Sequence, residues 1–148
     1  MVRIVPNLVT ERIESVKAGI VSAGAFAIAE VVVVLLKAIM TNALPQQEVM
    51  PIILDWELML QLFFGAVSGF LFGVTYRYII RDDRNSHLNE GAVFAFGLVR
   101  GLALIENNLI WSKIISLLFL IIQSIICFAI ARMVLDLAIK RKLIKPFI

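Results

Sequence analysis

A chain of 148 residues is long enough for one domain, and 61% of this one is hydrophobic, with a mean hydropathy of +0.95. That is more apolar surface than a water-soluble domain of this size can cover, which excludes an ordinary globular protein and points to a polytopic membrane protein. The formal net charge of +3 comes from Lys and Arg flanking apolar runs, so it reports topology; no aromatic-basic surface or groove-reading motif for nucleic acid accompanies it.

In chain order, Met1 to Lys17 mixes Leu8, Val9, Ile13 and Val16 with Arg3, Arg12 and Lys17. Thr10 is placed to cap a helix, with Glu11 and Glu14 in its first turns, where carboxylates favour the positive helix end. The segment reads as an interfacial lead-in, although Met1 to Val9 reads equally well as a disordered tail. The first span runs from Ala18 to about Ile39, close to the roughly 20 residues that cross a hydrocarbon core. It contains Glu30, and Lys37 near its end can snorkel to headgroups. Ala27-Ile28-Ala29 has the look of a signal cleavage site, but the apolar run continues to Leu36, which argues against cleavage.

Thr41 to Glu57 is a polar connection with Pro45 and Pro51, the acidic Glu48, Asp55 and Glu57, and no Lys or Arg. The charge rule places it away from the cytoplasm. The second span is predicted at 56–80, with Trp56 as an outer interface anchor and Tyr76 and Tyr78 as inner ones. Gly65, Gly69 and Gly73 recur every fourth residue along it, a spacing that forms a groove where another backbone can approach closely. The polar hairpin Arg81 to Glu90 follows, and then a third span at 88–105 carrying Gly97, Arg100 and Gly101. These two glycine-striped segments are expected to pack against each other. The fourth span, 110–135, is rich in Ile and Leu and has no glycine. It exits into Arg132, Asp136, Lys140, Arg141, Lys142 and Lys145, a basic tail suited to the cytoplasmic face and its anionic headgroups.

Nearly all Lys and Arg then fall on one side, with only Lys37 and Lys113 near the other. The expected fold is an all-α polytopic membrane bundle, a single domain of four transmembrane helices with both termini cytoplasmic. A three-span variant with a re-entrant Arg100 segment is the runner-up. Gly19-Ile20-Val21-Ser22, Gly65-Ala66-Val67-Ser68 and Gly91-Ala92-Val93-Phe94 hint at a repeat, but such short matches arise easily in Gly/Ala/Val-rich sequence.

The strongest internal signal is a charge pair. At 1.5 Å per residue from the cytoplasmic helix starts, Glu30 lies about 18 Å deep and Arg100 about 19–20 Å deep. Either charge alone would be costly in hydrocarbon, so pairing is expected if the first and third helices adjoin. The pair reads as a register-fixing ion pair ahead of a proton or ion site, with Glu106 or Gln123 as substitute partners. His87, near Asp82, Asp83 and Glu90, reads as a solvated turn, so no metal site is assigned. The glycines lie within apolar spans and form neither a phosphate loop nor a dinucleotide fingerprint. With no nucleophile elbow, zinc motif or paired intramembrane carboxylates, no catalytic residue is assigned and the chain reads as non-enzymatic. Cys127 is single, so no intrachain disulfide can form.

Gly73-Val74-Thr75-Tyr76-Arg77-Tyr78, then Arg81-Asp82-Asp83, then Gly91-Ala92-Val93-Phe94-Ala95-Phe96-Gly97-Leu98-Val99-Arg100-Gly101, together about the middle third of the chain, resemble a family of small integral membrane proteins of cyanobacteria and plastids that has no assigned activity. The resemblance implies a thylakoid or cytoplasmic membrane with the basic side toward cytoplasm or stroma, and it implies no catalytic residue; the residues name no cofactor. The expected function is that of an accessory or assembly partner of a larger membrane complex, acting through glycine-mediated helix packing in the lipid bilayer, with a membrane-protein partner or a homo-oligomer. A small oligomeric transporter or channel with Glu30 and Arg100 lining the path is the alternative.

Overall fold

The computed structural model describes residues 8–42, 56–80, 86–103 and 114–145, all helical apart from Ile80 and the last five residues. The predicted connections around Pro45 and Pro51, at Arg81 to Asn85 and at Glu106 to Trp111 lie outside the described residues, as do Met1 to Asn7. Four helices result: α1 (Leu8–Asn42), α2 (Trp56–Ile79), α3 (Ser86–Ala103) and α4 (Ile114–Lys140). Segments Leu8–Met40, Leu58–Ile79 and Leu118–Lys140 are long and apolar enough to cross a membrane. At 18 residues, α3 spans only about 27 Å, and it carries Glu90 and Arg100.

Two element boundaries differ from the sequence expectation. The lead-in and first span form one helix of 35 residues, so Thr10 lies within the helix and does not cap it. Its N-terminal turns are held by tertiary partners: Glu11, Glu14 and Ser15 face α2 and the C-terminal tail. At the other end of the chain, α4 continues through Asp136 to Lys140 because Asp136 pairs with Arg132 one turn earlier, at 3.6 Å.

The helices run up, down, up, down, so the described chain ends at Leu8 and Lys145 lie at the same end of the bundle. α1 packs extensively on α2 and α4, and α3 on α4, whereas α2 meets α3 only narrowly and the backbones of α1 and α3 do not touch. The fold is therefore two helical hairpins docked through α1 and α4, with a cleft left between α2 and α3.

Glycine placement explains that order and corrects the expected pairing of the two glycine stripes. A Cβ at Gly69 would come within 2.8 Å of Phe26 Cβ and 3.1 Å of Ala23 Cα, and one at Gly73 would overlap the Ala18 carbonyl. Gly19 of α1 reciprocates by receiving the Phe70 ring. The α2 glycines thus seat α1. Those of α3 seat α4 instead: Cβ atoms at Gly97 and Gly101 would come within 2.8 Å of Ile125 Cα and 2.7 Å of Ile121 Cα. A groove of small residues needs large knobs opposite it, and the glycine-free, isoleucine-rich α4 supplies them.

One phenylalanine from each helix fills the centre. Phe26 and Phe128 lie 4.6 Å apart between ring centroids, Phe72 and Phe128 5.2 Å, Phe72 and Phe96 5.4 Å, and Phe96 and Phe128 5.8 Å. These are the separations at which tilted and edge-to-face aromatic pairs are favourable.

The C-terminus of α4 ends in a Schellman-type turn. Leu143 N–H donates to Ala138 O at 3.0 Å, Lys142 N–H donates to Ile139 O at 2.9 Å, and Lys142 takes φ 58°. The turn sends Ile144 back into the core, where it is 1% exposed. A lysine in the left-handed region is strained where glycine would not be, so Lys142→Gly is expected to stabilise the bundle by up to about 1 kcal/mol. A rise in the midpoint of thermal unfolding in detergent would show it; Lys142→Val should lower that midpoint.

Candidate functional site

Two polar clusters interrupt the apolar bundle, one on each side of the phenylalanine layer. The first is built around Arg100. Its Nη2 donates to Glu30 Oε1 at 2.8 Å and to the Gln61 carbonyl at 3.2 Å. Gln61 Nε2 also donates to Glu30 Oε1, at 3.3 Å. Glu30 and Arg100 are 3% and 8% exposed, so both charges have left solvent, and each needs the other. The guanidinium carbon sits 5.1 Å from the centroid of the Phe26 ring, in cation–π range.

These two residues come from helices whose backbones do not touch, and Gly65 is what lets them meet. A Cβ on Gly65 would overlap Glu30 Oε2 and lie 2.9 Å from Arg100 Nη2. The glycine leaves a window on α2 across which the two side chains reach. Gly65 therefore does a different job from Gly69 and Gly73, although all three share one stripe. Glu30 Oε2 presses into that window and has no hydrogen-bond partner among the described residues.

Gln61 was not singled out by sequence reasoning. Its signal was present, because it lies one turn before Gly65 on the same helical face and is the polar residue in a run of Leu, Met and Phe. Gln123, considered as a substitute partner for Arg100, is buried on α4 with Oε1 unpartnered among the described residues; Glu106 lies outside them. Lys37 places its Nζ 5.3 Å from the Phe119 ring centroid.

The second cluster closes the end of the bundle where the first turns of α1 meet Lys145. Arg77, near the C-terminal end of α2, is 1% exposed. Its Nε donates to the Lys145 carbonyl at 2.9 Å, and its Nη1 donates to Ser15 Oγ at 2.7 Å and the Glu11 carbonyl at 3.0 Å. Its Nη2 pairs with the Glu11 carboxylate. Lys145 N–H in turn donates to Glu14 Oε2 at 3.1 Å, and Lys17 pairs with Glu14 Oε1 at 2.9 Å. One guanidinium thus ties α2 to the first turns of α1 and to the tail.

Tyr76 departs from its predicted role as an interface anchor. It is fully buried. Its hydroxyl donates to Asp136 Oδ1 at 2.8 Å and accepts from Arg132 Nε at 3.1 Å. Tyr78 remains half-exposed.

Arg77→Lys keeps the charge but has a single nitrogen in place of a three-nitrogen fork. Charge-assisted bonds contribute roughly 1.5–3 kcal/mol each, so this conservative change is expected to cost about 2–3 kcal/mol. Detergent-solubilised protein should show the loss as a lower unfolding midpoint, together with earlier proteolysis of the C-terminal tail.

Among the described residues no three His, Cys, Asp or Glu side chains gather to hold a metal ion. His87 is exposed, and Cys127 is buried as a free thiol. No family model, curated protein or solved structure matches the chain.

Proposed function

We propose that the chain is a non-enzymatic integral membrane protein of four membrane-crossing helices, acting as an accessory or assembly partner of a larger membrane complex. The observation that supports this most is the aromatic layer across the bundle axis. One phenylalanine from each helix fills the level next to the Glu30–Arg100 pair, and the pair's own bonds run from helix to helix. A buried pair so placed is suited to holding helix register. The alternative of a small oligomeric transporter or channel needs Glu30 and Arg100 to line a path, and the aromatic layer stands across it.

Topology follows from charge. Arg12, Lys17, Lys140, Arg141, Lys142 and Lys145 gather at the end of the bundle that holds Leu8 and Lys145, which makes that end cytoplasmic by the positive-inside rule. The roughly 27 Å length of α3 approaches the hydrocarbon thickness of about 30 Å, and its arginine is neutralised by Glu30, so it crosses with the others. The glycine faces of α2 and α3 are used within the fold, which leaves the exposed apolar ridges, such as Phe63 and Phe64, and the basic end to meet a partner. The resemblance of the middle third favours a thylakoid or cytoplasmic membrane.

Affinity purification of the tagged full chain from native membrane in mild detergent tests the reading. A stoichiometric larger complex is the expected result. A lone small homo-oligomer would overturn it.

A further inference from the structure

The cleft between α2 and α3 has the features of a ligand site. It encloses about 400 Å³, and its walls are Phe64, Ser68 and Leu71 from α2 and Phe96, Val99 and Arg100 from α3, with Phe128 of α4 also in contact. That volume falls within the roughly 300–1,000 Å³ of small-molecule sites, which are characteristically apolar with a few placed polar groups. The polar residues on its walls are Arg100 and Ser68, the Ser68 hydroxyl already donating to the Phe64 carbonyl at 2.8 Å.

The hydrogen-bond inventory of Arg100 narrows the ligand. Of its five N–H groups, only those on Nη2 are used, for Glu30 and Gln61, and the N–H groups of Nε and Nη1 have no acceptor among the described residues. Donors at a buried site call for acceptors. An anion would supply them, but Glu30 already neutralises the arginine, so a second anion would leave an uncompensated negative charge in apolar surroundings. A neutral carbonyl oxygen satisfies the donors without that penalty. The rings of Phe64, Phe96 and Phe128 offer faces and edges to a planar group. Leu71 and Val99 are exposed on the outer surface of the bundle, where an apolar tail can leave the cleft along the helices.

We infer that the α2–α3 cleft binds a lipid-soluble quinone, with the ring among Phe64, Phe96 and Phe128, one carbonyl accepting from Arg100, and the apolar tail running outward past Leu71 and Val99. The inference is independent of the partner reading above, since a complex subunit and a lone protein could each carry the site.

The full chain in nanodiscs of ether-linked phosphatidylcholine, which has no ester carbonyl, is titrated with decylbenzoquinone. Quenching of tryptophan fluorescence is the readout, with Trp56 about 12 Å along α2 from Phe64. Saturable quenching is expected, at least tenfold weaker in affinity for decylbenzene competing at the same site. The double variant Ser68→Leu/Val99→Phe, which fills the cleft from both walls at positions outside the core, should weaken quinone binding at least tenfold while the unfolding midpoint stays near that of the parent. Quenching that never saturates, decylbenzene competing as well as the quinone, or a filled cleft that binds unchanged would each overturn the assignment. So would tighter binding of palmitate, which would mean an anion site, or displacement by equimolar ester phosphatidylcholine, which would mean a bulk-lipid site.

Discussion

Replacing Arg100 alone with methionine should destabilise the bundle by about 3–5 kcal/mol, because it strands a buried carboxylate. Glu30 is 3% exposed, Gln61 Nε2 would be its remaining donor, at 3.3 Å, and Oε2 has no partner among the described residues. Glu30→Val alone should cost a similar amount by stranding the guanidinium. The double variant Glu30→Val/Arg100→Met should cost far less than the sum, since exchanging a buried ion pair for apolar side chains is often close to neutral. Reversible unfolding in mixed micelles with increasing dodecyl sulfate measures all three. A coupling of at least about 2 kcal/mol across the cycle is expected. Additive single costs would show that the two residues do not act as one unit. The cycle also separates roles: if the pair holds register, the double variant keeps its partner in affinity purification, whereas a functional charge would be lost with either residue.

How far these features could be read from sequence depends on how local each one is. The helices were visible as apolar runs bounded by charge, and the depth count put Glu30 and Arg100 near one level because helical rise is a local property. Helix order was not visible. The glycines of α2 announce a close approach but do not say that the approaching backbone is α1 and not α3; that choice rests on whether the facing surface supplies knobs such as Phe26 or Ile125, and it is settled across the whole bundle. The lead-in differs from its sequence expectation for the same reason. Glu11 and Glu14 look like helix-start carboxylates on an interfacial segment, yet their partners Arg77 and Lys145 arrive from far along the chain, after the Lys142 turn folds the tail back. Tyr76 beside Arg77 looks like an interface anchor, and only the register of α4, which sets Arg132 and Asp136 opposite it, makes it a buried bridge.

The glycines offer the sharpest test, because three on one stripe should respond differently to the same single methyl. At Gly73 the new Cβ would overlap the Ala18 carbonyl and lie 2.5 Å from Ser22 Cβ and 2.9 Å from the Ala18 carbonyl carbon. Backbone cannot step aside, so α1 and α2 must separate, and overpacking of this kind costs about 3 kcal/mol or more. Gly69→Ala faces Ala23 Cα at 3.1 Å and Phe26 Cβ at 2.8 Å, and its cost should be somewhat smaller. At Gly65 the obstacles are the far ends of two flexible side chains, Glu30 Oε2 and Arg100 Nη2. Those ends can move only by giving up their bond, so Gly65→Ala should cost nearly as much as breaking the pair, about 3 kcal/mol. The two mechanisms separate in the Glu30→Val/Arg100→Met background. With the carboxylate and guanidinium gone, Gly65→Ala meets no obstacle and its cost should fall below about 1 kcal/mol, while Gly73→Ala keeps its full penalty because Ala18 and Ser22 are unchanged. Unfolding midpoints of the four combinations in one detergent decide it. An unrelieved Gly65→Ala would mean that the glycine admits a backbone, as Gly73 does, and that the window between Glu30 and Arg100 is not its reason for being there.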